Sequence, residues 1–289
     1  MTEQERQEML AEMRGDKEGG SRKYWSPGAN FEGTKTIRFL PPLKKLNEKK
    51  FYFAHRTHFI GGSPFEDLDQ TILDENGNII HEAQADPVNS LVKKLYRTAE
   101  KGSDEWKLAG LLNARQRYVS RIIVRDKENP TNELQPVFYE YGPTIYDILY
   151  HIMTETDFGI IVDPKEGRDF NLTKRGMGRQ SKYDTSTPAA TITPIFKEAE
   201  RLKAMFDNAM RMPYSSLLTF PTYAEKEAAL RDFLGNDITK EPAKVYDMST
   251  SKPDVVIGSK TPSKVFAPEP EDDSSSEDDD IDAILNDMV

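Results

Sequence analysis

The stretch "ARQRYVSRIIVRDK" (residues 114–127) decides the fold, because its β-branched residues and its tyrosine favour an extended strand. "PVFYEY" (136–141) follows as a second strand, and "DENGN" (74–78) contains the Asn-Gly pair of a tight hairpin turn. Upstream strand-like runs, bounded by Pro, Gly or Asn, are "TKTIRFLPP" (34–42) and "KFYFAHRTHFI" (50–60). Most of the region 34–162 is therefore predicted to be β-sheet.

Helical periodicity accompanies these strands. The apolar residues of "PTIYDILYHIMTE" (143–155) are spaced for a helix. Two more helices are predicted near 195–212 and 222–234, the second ending at Gly235. "GRDFNLTKRGMGRQSKYD" (167–184) is typical of a strand that leads into a basic loop. The fold class predicted from this mixture is α+β.

The chain divides into three parts. Residues 1–20 are predicted to be an N-terminal arm, since a short helical pattern ends there at "RGDKEGGS". Residues 21–239 are predicted to form the folded core. Pro, Ser and acidic residues dominate 240–289, which is predicted to be a disordered linker and acidic tail.

The acidity lies at the C-terminus. From Glu269 onward there are ten Asp and Glu and no Lys or Arg, and the remaining 39 acids match the 39 bases. A neutral core leaves its local basic clusters able to act as anion sites. Cysteine is absent, which excludes disulfides and thiolate metal sites. With no apolar run as long as a membrane span and a polar start, we expect a soluble, intracellular protein.

Two basic clusters suggest nucleic-acid binding. Residues 91–127 carry ten Lys and Arg against four acids, and residues 165–182 carry six bases against two acids. Aromatic residues interleave with them: Tyr96, Tyr118, Phe138, Tyr139, Tyr141, Phe170 and Tyr183. Cations that follow phosphates, beside rings on which bases stack, make a single-strand groove. The alternative is ordinary solvated charge beside core aromatics.

The alternation of side chains along a strand argues against one groove that contains both the arginines and Tyr118. It places Arg115, Arg117, Arg121 and Arg125 on one face of the strand and Tyr118 on the other. Only a bulge or a twist would bring Tyr118 and the arginines into one groove.

Catalytic motifs are not recognisable. The four histidines are scattered, and a metal site drawn from His55, His58, His81 and Asp86 has no spacing signature. "RGMGRQS" lacks the Rossmann glycine pattern, and "IGSKTPS" lacks the upstream glycine of a phosphate loop. We therefore expect a protein that is not an enzyme.

The order of these segments resembles the single-stranded DNA-binding proteins of T-even-like bacteriophages. The matching segments are "TKTIRFLPP", "DPVNSLVKK", "RYVSRIIVRDKENP", "PVFYEYGPTIYDIL", "FNLTKRGMGRQSKYDTS", "YAEKEAALRDFLG" and "DDDIDAILNDMV". The resemblance implies an oligonucleotide/oligosaccharide-binding (OB-fold) β-barrel with added helices. It also implies a protein that coats single-stranded DNA during phage replication, recombination and repair, in the cytoplasm of the infected host.

The resemblance also implies roles for individual residues. The residues at base-stacking positions are Tyr118, Tyr139 or Tyr141, and Tyr183. Phosphate contacts fall to Arg115, Arg117, Arg121, Lys174, Arg175, Arg179 and Lys182. The cysteines that bind the family's zinc beside a proline are here Asp86 and Asn89, so we expect no zinc and no other cofactor. The family's arm is basic, whereas residues 1–14 have four acids and two bases, which puts self-association through charge in doubt.

The tail has an amphipathic end. Ile281, Ile284, Leu285 and Met288 follow the i, i+3, i+4, i+7 pattern of a helix. We expect the carboxylates, including Asp278, Asp279 and Asp280, to compete with DNA, and the apolar face to recruit replication, recombination and repair proteins. One alternative is a merely solubilising tail. The other is an acidic-tailed interaction or chaperone-like factor that binds no nucleic acid.

Overall fold

The computed structural model describes residues 24–74, 77–126, 129–154, 158–237, 281–282, 284–286 and 288–289. The predicted arm (1–20) and the linker part of the tail (240–280) lie outside them. The strands are β1 (Gly33–Phe39), β2 (Tyr52–Ile60), β3 (Ser63–Glu66), β4 (Ile72–Leu73), β5 (Ile79–His81), β6 (Arg115–Val124), β7 (Val137–Tyr141), β8 (Phe170–Lys174) and β9 (Thr187–Pro188). The helices are α1 (Pro87–Thr98), α2 (Asp104–Leu112), α3 (Pro143–Thr154), α4 (Ala199–Met210) and α5 (Tyr223–Asp237).

Strand β6 organises the antiparallel sheet. Its first half pairs with β2 and its second half with β1, while β7 pairs along the other edge. The strand order is β3-β2-β6-β1-β8-β9, with β7 beside β6. The α+β class is therefore confirmed, and β6 lies within the strand predicted at residues 114–127.

Among the described residues the sheet does not close into the expected OB-fold β-barrel. Closure requires the two edge strands to pair with each other. Here β3 and β9 end the sheet, and β9 is only Thr187–Pro188. Proline has no N–H with which to extend a ladder, which suits an edge position.

The main core lies on one face of β6. Ile37 and Phe39 of β1 meet Ile122 of β6 there, and Phe170 and Leu172 of β8 continue the layer. Helix α3 covers it with Ile145, Leu149 and Ile152. The predicted helix at 143–155 is thus confirmed, and its apolar stripe faces the sheet.

A second core lies on the opposite face. Ile123 of β6 packs there with Leu40, Leu43, Ile195 and Phe196. Helix α4 contributes Leu202, Met205, Phe206 and Ala209 at helical spacing. This confirms the predicted helix near 195–212, although it begins at Ala199.

The end of the tail is helical and packs in this second core. Ile281 and Met288 are buried there, and Ile284, Leu285 and Val289 are half-buried. The described residues of 281–289 are thus helical, as the spacing of Ile281, Ile284, Leu285 and Met288 predicts. Isolated helices this short are marginal in water, so contact with the core stabilises this one.

A third cluster joins α1, α2 and α5. Val88 and Val92 of α1 meet Ala109 and Leu112 of α2, and Leu230 of α5 closes the cluster. Asp86 caps α1 by accepting from the amides of Val88 and Asn89, with Pro87 in the first turn. Helix α2 went unpredicted, although its N-cap Ser103 and its acidic first turn mark a helix start.

Helix α5 runs two residues past the Gly235 end predicted for it. A hairpin is confirmed here, since β4 and β5 pair on either side of residues 74–78, of which 75 and 76 lie outside the described residues. None of the helices in the described ranges has the length and apolar composition needed to cross a bilayer.

Candidate nucleic-acid interface

The two faces of β6 carry different chemistry, as strand alternation predicts. Arg117 lies opposite His55 of β2, and Tyr118 lies opposite Ala54. Pairing stays in register from Arg115 to Ser120. The arginines therefore project to one face and Tyr118 to the other, so the sheet does not bring them into one groove.

The guanidinium of Arg121 is buried and hydrogen-bonded within the protein. Arg121 is 1% exposed and forms two hydrogen bonds to Glu48, at 2.9 and 2.6 Å. Its Nε donates to the carbonyl of Met212 at 2.7 Å, and the group lies 4.1 Å from the ring centre of Tyr214. Leaving Glu48 without this partner would strand a buried charge. The structure therefore assigns Arg121 to stability rather than to a phosphate.

The other arginines of this face differ in exposure. Arg125 is paired with Asp169 and Glu133, both at 3.0 Å. Arg115 and Arg117 lie over the ring of Phe59, at 5.6 and 5.3 Å from its centre. Arg115 is exposed and Arg117 half-buried. Of the β6 arginines in the expected phosphate set, these two remain near solvent.

A row of aromatic rings runs along the other face, and its first half is buried. Trp25 meets Tyr139 edge-on, and Tyr139 stacks on Tyr141 with ring centres 5.4 Å apart. Tyr139 is 4% and Tyr141 3% exposed, and burial raises the pKa of both phenols. The Tyr141 hydroxyl is 2.9 Å from Ser120 Oγ. Neither ring offers a face to a base.

The second half of the row reaches solvent. Tyr118 stacks on Tyr146 with ring centres 4.0 Å apart and planes 7° from parallel. Tyr150 continues the row at 6.5 Å and is 57% exposed. Tyr52 packs edge-on against Tyr118 and Tyr146, and its hydroxyl is 3.2 Å from that of Tyr146. These four residues are called the tyrosine stack.

Only Tyr118 of the stack was predicted from the sequence. Tyr146 and Tyr150 are four residues apart on α3, so they share one helix face. That spacing could have identified Tyr146 and Tyr150 as a pair of base-stacking candidates in the sequence. Lys50 places its ammonium 5.6 Å from the ring centre of Tyr52, which adds a cation to the same surface.

The basic loop after β8 contains one lysine that points inward. Lys174 is 3% exposed and donates to the carbonyls of Gly28 and Ala29, at 2.8 and 2.7 Å. It therefore fastens residues 28–29 to the sheet, and this geometry gives it no free face for DNA.

The loop presents other cations outward. Arg175 is exposed and pairs with Asp184 at 2.8 Å, while Lys182 is exposed and pairs with Arg175 through the backbone. Tyr183 is half-buried against the main core, which raises its pKa. The side chain of Arg179 lies outside the described residues. Arg175, Lys182 and Tyr183 thus remain at the surface of the loop.

His55 forms a charged cluster on the arginine face. Its Nδ1 is 2.8 Å from Glu66 and its Nε2 is 3.5 Å from Glu140, and the ring is buried. Burial alone would lower the pKa of His55, but hydrogen bonds with Glu140 and Glu66 outweigh it and raise the pKa to about 9. His55 is therefore an imidazolium that neutralises two carboxylates.

His58, Asp67 and Asp86 form a buried cluster with the composition of a metal site. His58 Nε2 is 3.6 Å from Asp67 Oδ1 and 3.7 Å from Asp86 Oδ2. Asp67 was not among the expected residues, and His55 and His81 lie elsewhere, His81 being stacked on Phe220 at 3.9 Å. Zinc would need free lone pairs on these ligands.

The residues present do not fit zinc, because Asp86 has no acceptor position left. Its Oδ1 accepts from the amides of Val88 and Asn89, and its Oδ2 accepts from the amide of Leu68. The ammonium of Lys226 fills the last position, 2.5 Å from Asp86 Oδ2, and also donates to the carbonyl of Glu66 at 2.7 Å.

Asp67 is similarly engaged. It accepts from the amide of Asp69 and from Asn89 Nδ2, and Arg56 lies 2.9 Å away. Burial raises the pKa of Asp67, but the His58 ring, the Asp69 amide and the Arg56 charge outweigh that effect and lower the pKa to about 2. Two cations of the protein thus balance two carboxylates.

Comparison with known proteins agrees with this geometry. The family model described as "gp32 DNA binding protein like" matches residues 31–232, more than two thirds of the chain. The comparison with curated proteins gave no match. The matched range contains the whole sheet, the tyrosine stack and the basic loop. The family is one of DNA-binding proteins, which favours DNA binding over the alternative of an interaction factor that binds no nucleic acid. The chain therefore belongs to the gp32-like family of single-stranded DNA-binding proteins.

Proposed function

We propose that this protein coats single-stranded DNA exposed during phage replication, recombination and repair. The observation that carries the proposal is the tyrosine stack, whose outermost ring, Tyr150, is 57% exposed. Unpaired bases stack on such rings whatever their sequence. A coating protein needs this tolerance, because it meets every sequence that replication exposes.

The exposed cations would supply phosphate contacts. Lys50 adjoins the tyrosine stack, and Arg175 and Lys182 lie on the basic loop. Each phosphate that a cation neutralises releases counterions, so binding should weaken steeply with salt. The proposed contact set keeps Arg175, Lys182, Tyr118 and Tyr183, leaves out Arg121, Lys174, Tyr139 and Tyr141, and adds Lys50, Tyr52, Tyr146 and Tyr150. Arg115 and Arg117 lie on the face opposite Tyr118, so a DNA strand that contacts them must also pass over an edge of the sheet. Arg179 stays a prediction.

The acidic tail would act in two ways. Its ten carboxylates from Glu269 onward carry the same charge as DNA and can compete for these cations at low salt. Its amphipathic end can bind a groove on replication, recombination or repair proteins. The protein would work in the cytoplasm of the infected host, and neighbouring copies could associate along the strand.

A fluorescence titration with oligo(dT) tests the proposal. The full chain and a version that ends at Ala267 would be titrated over a range of salt. We expect tyrosine or tryptophan quenching, steep weakening with salt, and tighter binding of the shortened version at low salt only. If neither protein binds oligo(dT), the coating function is wrong.

A pull-down tests recruitment. We expect host or phage replication proteins to be retained by the full chain and lost when the last twelve residues are removed. Equal retention by both proteins would reject the recruiting role of the tail.

A further inference from the structure

The apolar side of the tail helix is buried against the core of the same chain. Ile281 and Met288, seven residues apart, are 6% and 4% exposed. Ile284 and Leu285 lie between them and are half-buried, whereas Asp282 and Asn286 are exposed. Burial thus follows the helical period, as it does for a helix seated in a groove.

The groove that receives this helix is formed by Leu40, Leu43, Ile195, Phe196 and the buried face of α4, and is called the α4 groove. Met205 and Phe206 of α4 are fully buried within it. Packing the tail helix against these side chains removes apolar surface from water, so the tail helix and the groove stabilise one another.

An ion pair joins the polar side of the tail helix to the core. Lys165 Nζ lies 2.7 Å from Asp282 Oδ1. Lys44 and Lys45 lie between Leu43 and Leu46, which both belong to the same apolar cluster. The rim of the groove beside Asp282 therefore carries cations, which complement a carboxylate of the tail helix.

The α4 groove and the tyrosine stack lie on opposite faces of the sheet. Ile122 of β6 packs in the main core beside Tyr118, and Ile123 packs beneath the tail helix. A base stacked on the tyrosines would not touch residues 281–289. Docking of the helix is therefore a different event from competition between the acidic run and DNA.

We propose that the α4 groove is a receptor for the C-terminal helix of the same chain, and that a partner protein can bind the tail only after this helix has left the groove. The face that a partner would recognise is the face that the groove buries. The consequence for partners rests on the proposed recruiting role of the tail, whereas the docking itself does not.

Carbodiimide cross-linking of the full chain tests the docking. It joins an amine to a carboxylate that is already in contact, and Lys165 and Asp282 are such a pair. We expect mass spectrometry to find an amide between them, and to find none in Lys165→Arg, which keeps the charge but lacks the amine. Absence of this product from the unmodified protein would overturn the proposal.

Two matched variants test the apolar contact. Ile281→Asp with Met288→Asp places charge on the buried face, and Asn286→Asp places it on the exposed face. We expect the double variant to lose the cross-link between Lys165 and Asp282, and Asn286→Asp to keep it. Retention of the cross-link by the double variant would show that the apolar face does not hold the helix.

Isotope mixing decides whether the contact is within one chain. Unlabelled and ¹⁵N-labelled proteins would be mixed before cross-linking, and we expect every product to join two segments carrying the same label. Products with mixed labels would overturn docking in the same chain and would indicate exchange between copies.

Cross-linking with saturating oligo(dT) tests the separation of the two sites. We expect the Lys165–Asp282 product to persist, and its loss would overturn the claim that docking is separate from DNA binding. If the protein binds no oligo(dT) but forms the product, the coating function is wrong and docking stands. If it binds oligo(dT) without forming the product, docking is wrong and coating stands.

Discussion

Lys226 supplies a buried positive charge next to Asp86, which occupies a position where the resembled family has a zinc-binding cysteine. Its ammonium contacts Asp86 at 2.5 Å, and both side chains are fully buried. Burial lowers the pKa of this lysine, and the contact with Asp86 opposes that shift. This buried cation of α5 thereby connects that helix to the start of α1.

Replacing Lys226 should destabilise the protein strongly. Lys226→Met removes the partner of a buried carboxylate, which typically costs about 3–5 kcal/mol. Chemical denaturation monitored by circular dichroism would measure the loss. Lys203→Met, at an exposed position on α4, is the matched control and should change the free energy of unfolding little. Similar values for the two variants would contradict this role.

His55 should make stability depend on pH. Its pKa is raised from 6.5 to about 9 in the folded protein. The protonated form is thus favoured by folding, and its stabilisation is complete below pH 6.5 and is lost as pH rises through about 9. The shift corresponds to roughly 3 kcal/mol.

Unfolding of the unmodified protein and of His55→Gln at pH 6 and pH 10 would measure this effect. The stability difference between them should shrink at the higher pH. His151→Gln, at an exposed position on α3, should show no such change. A difference that is constant with pH would contradict the charged state of His55.

At the scale of elements, α3, β2 and β6 together build the tyrosine stack, so removing one ring of α3 should weaken DNA binding. Tyr146→Leu and Tyr150→Leu each remove a ring while keeping an apolar side chain. We expect each to weaken oligo(dT) binding by roughly 1–3 kcal/mol, about 5- to 150-fold.

Tyr223→Leu is the matched control, because Tyr223 is an exposed tyrosine on α5 outside the stack. Its affinity for oligo(dT) should stay that of the unmodified protein. The assignment of the stack is wrong if all three variants bind equally well.

The loop between β8 and β9 should contribute through charge. Lys182→Gln removes one exposed cation, so the slope of log affinity against log salt should become shallower by about 1. Titrations at several salt concentrations would measure the slope, with Lys203→Gln on α4 as the control. An unchanged slope for Lys182→Gln would remove that residue from the phosphate contacts.

At the scale of the whole molecule, the protein should be independent of metal. A ligand that binds only the folded state raises its stability, so removing a structural metal lowers it. With Asp86 fully hydrogen-bonded, we expect EDTA to leave Tm unchanged and metal analysis to find no stoichiometric zinc. A fall in Tm with EDTA, reversed by zinc, would contradict the fit described above.

Local pattern determined much of this protein. Alternation along β6 places the arginines and Tyr118 on opposite faces, helical spacing predicts α3 and α4, and the Asn-Gly pair predicts the β4–β5 hairpin. The spacing of apolar residues at the end of the tail likewise predicted an amphipathic helix, and the order of segments indicated the family. Each of these depends on neighbours in sequence, since backbone geometry fixes the periods of strands and helices.

Only the tertiary structure decided which of the predicted cations are exposed and able to contact a phosphate. Arg121 and Lys174 look like phosphate contacts in sequence, but Glu48 and the carbonyls of residues 28–29 engage them from far along the chain. Lys226 meets Asp86 across 140 residues, and the tail helix finds its groove on α4. Whether a charge faces DNA or the interior depends on burial and on distant partners, and neither is encoded in local spacing.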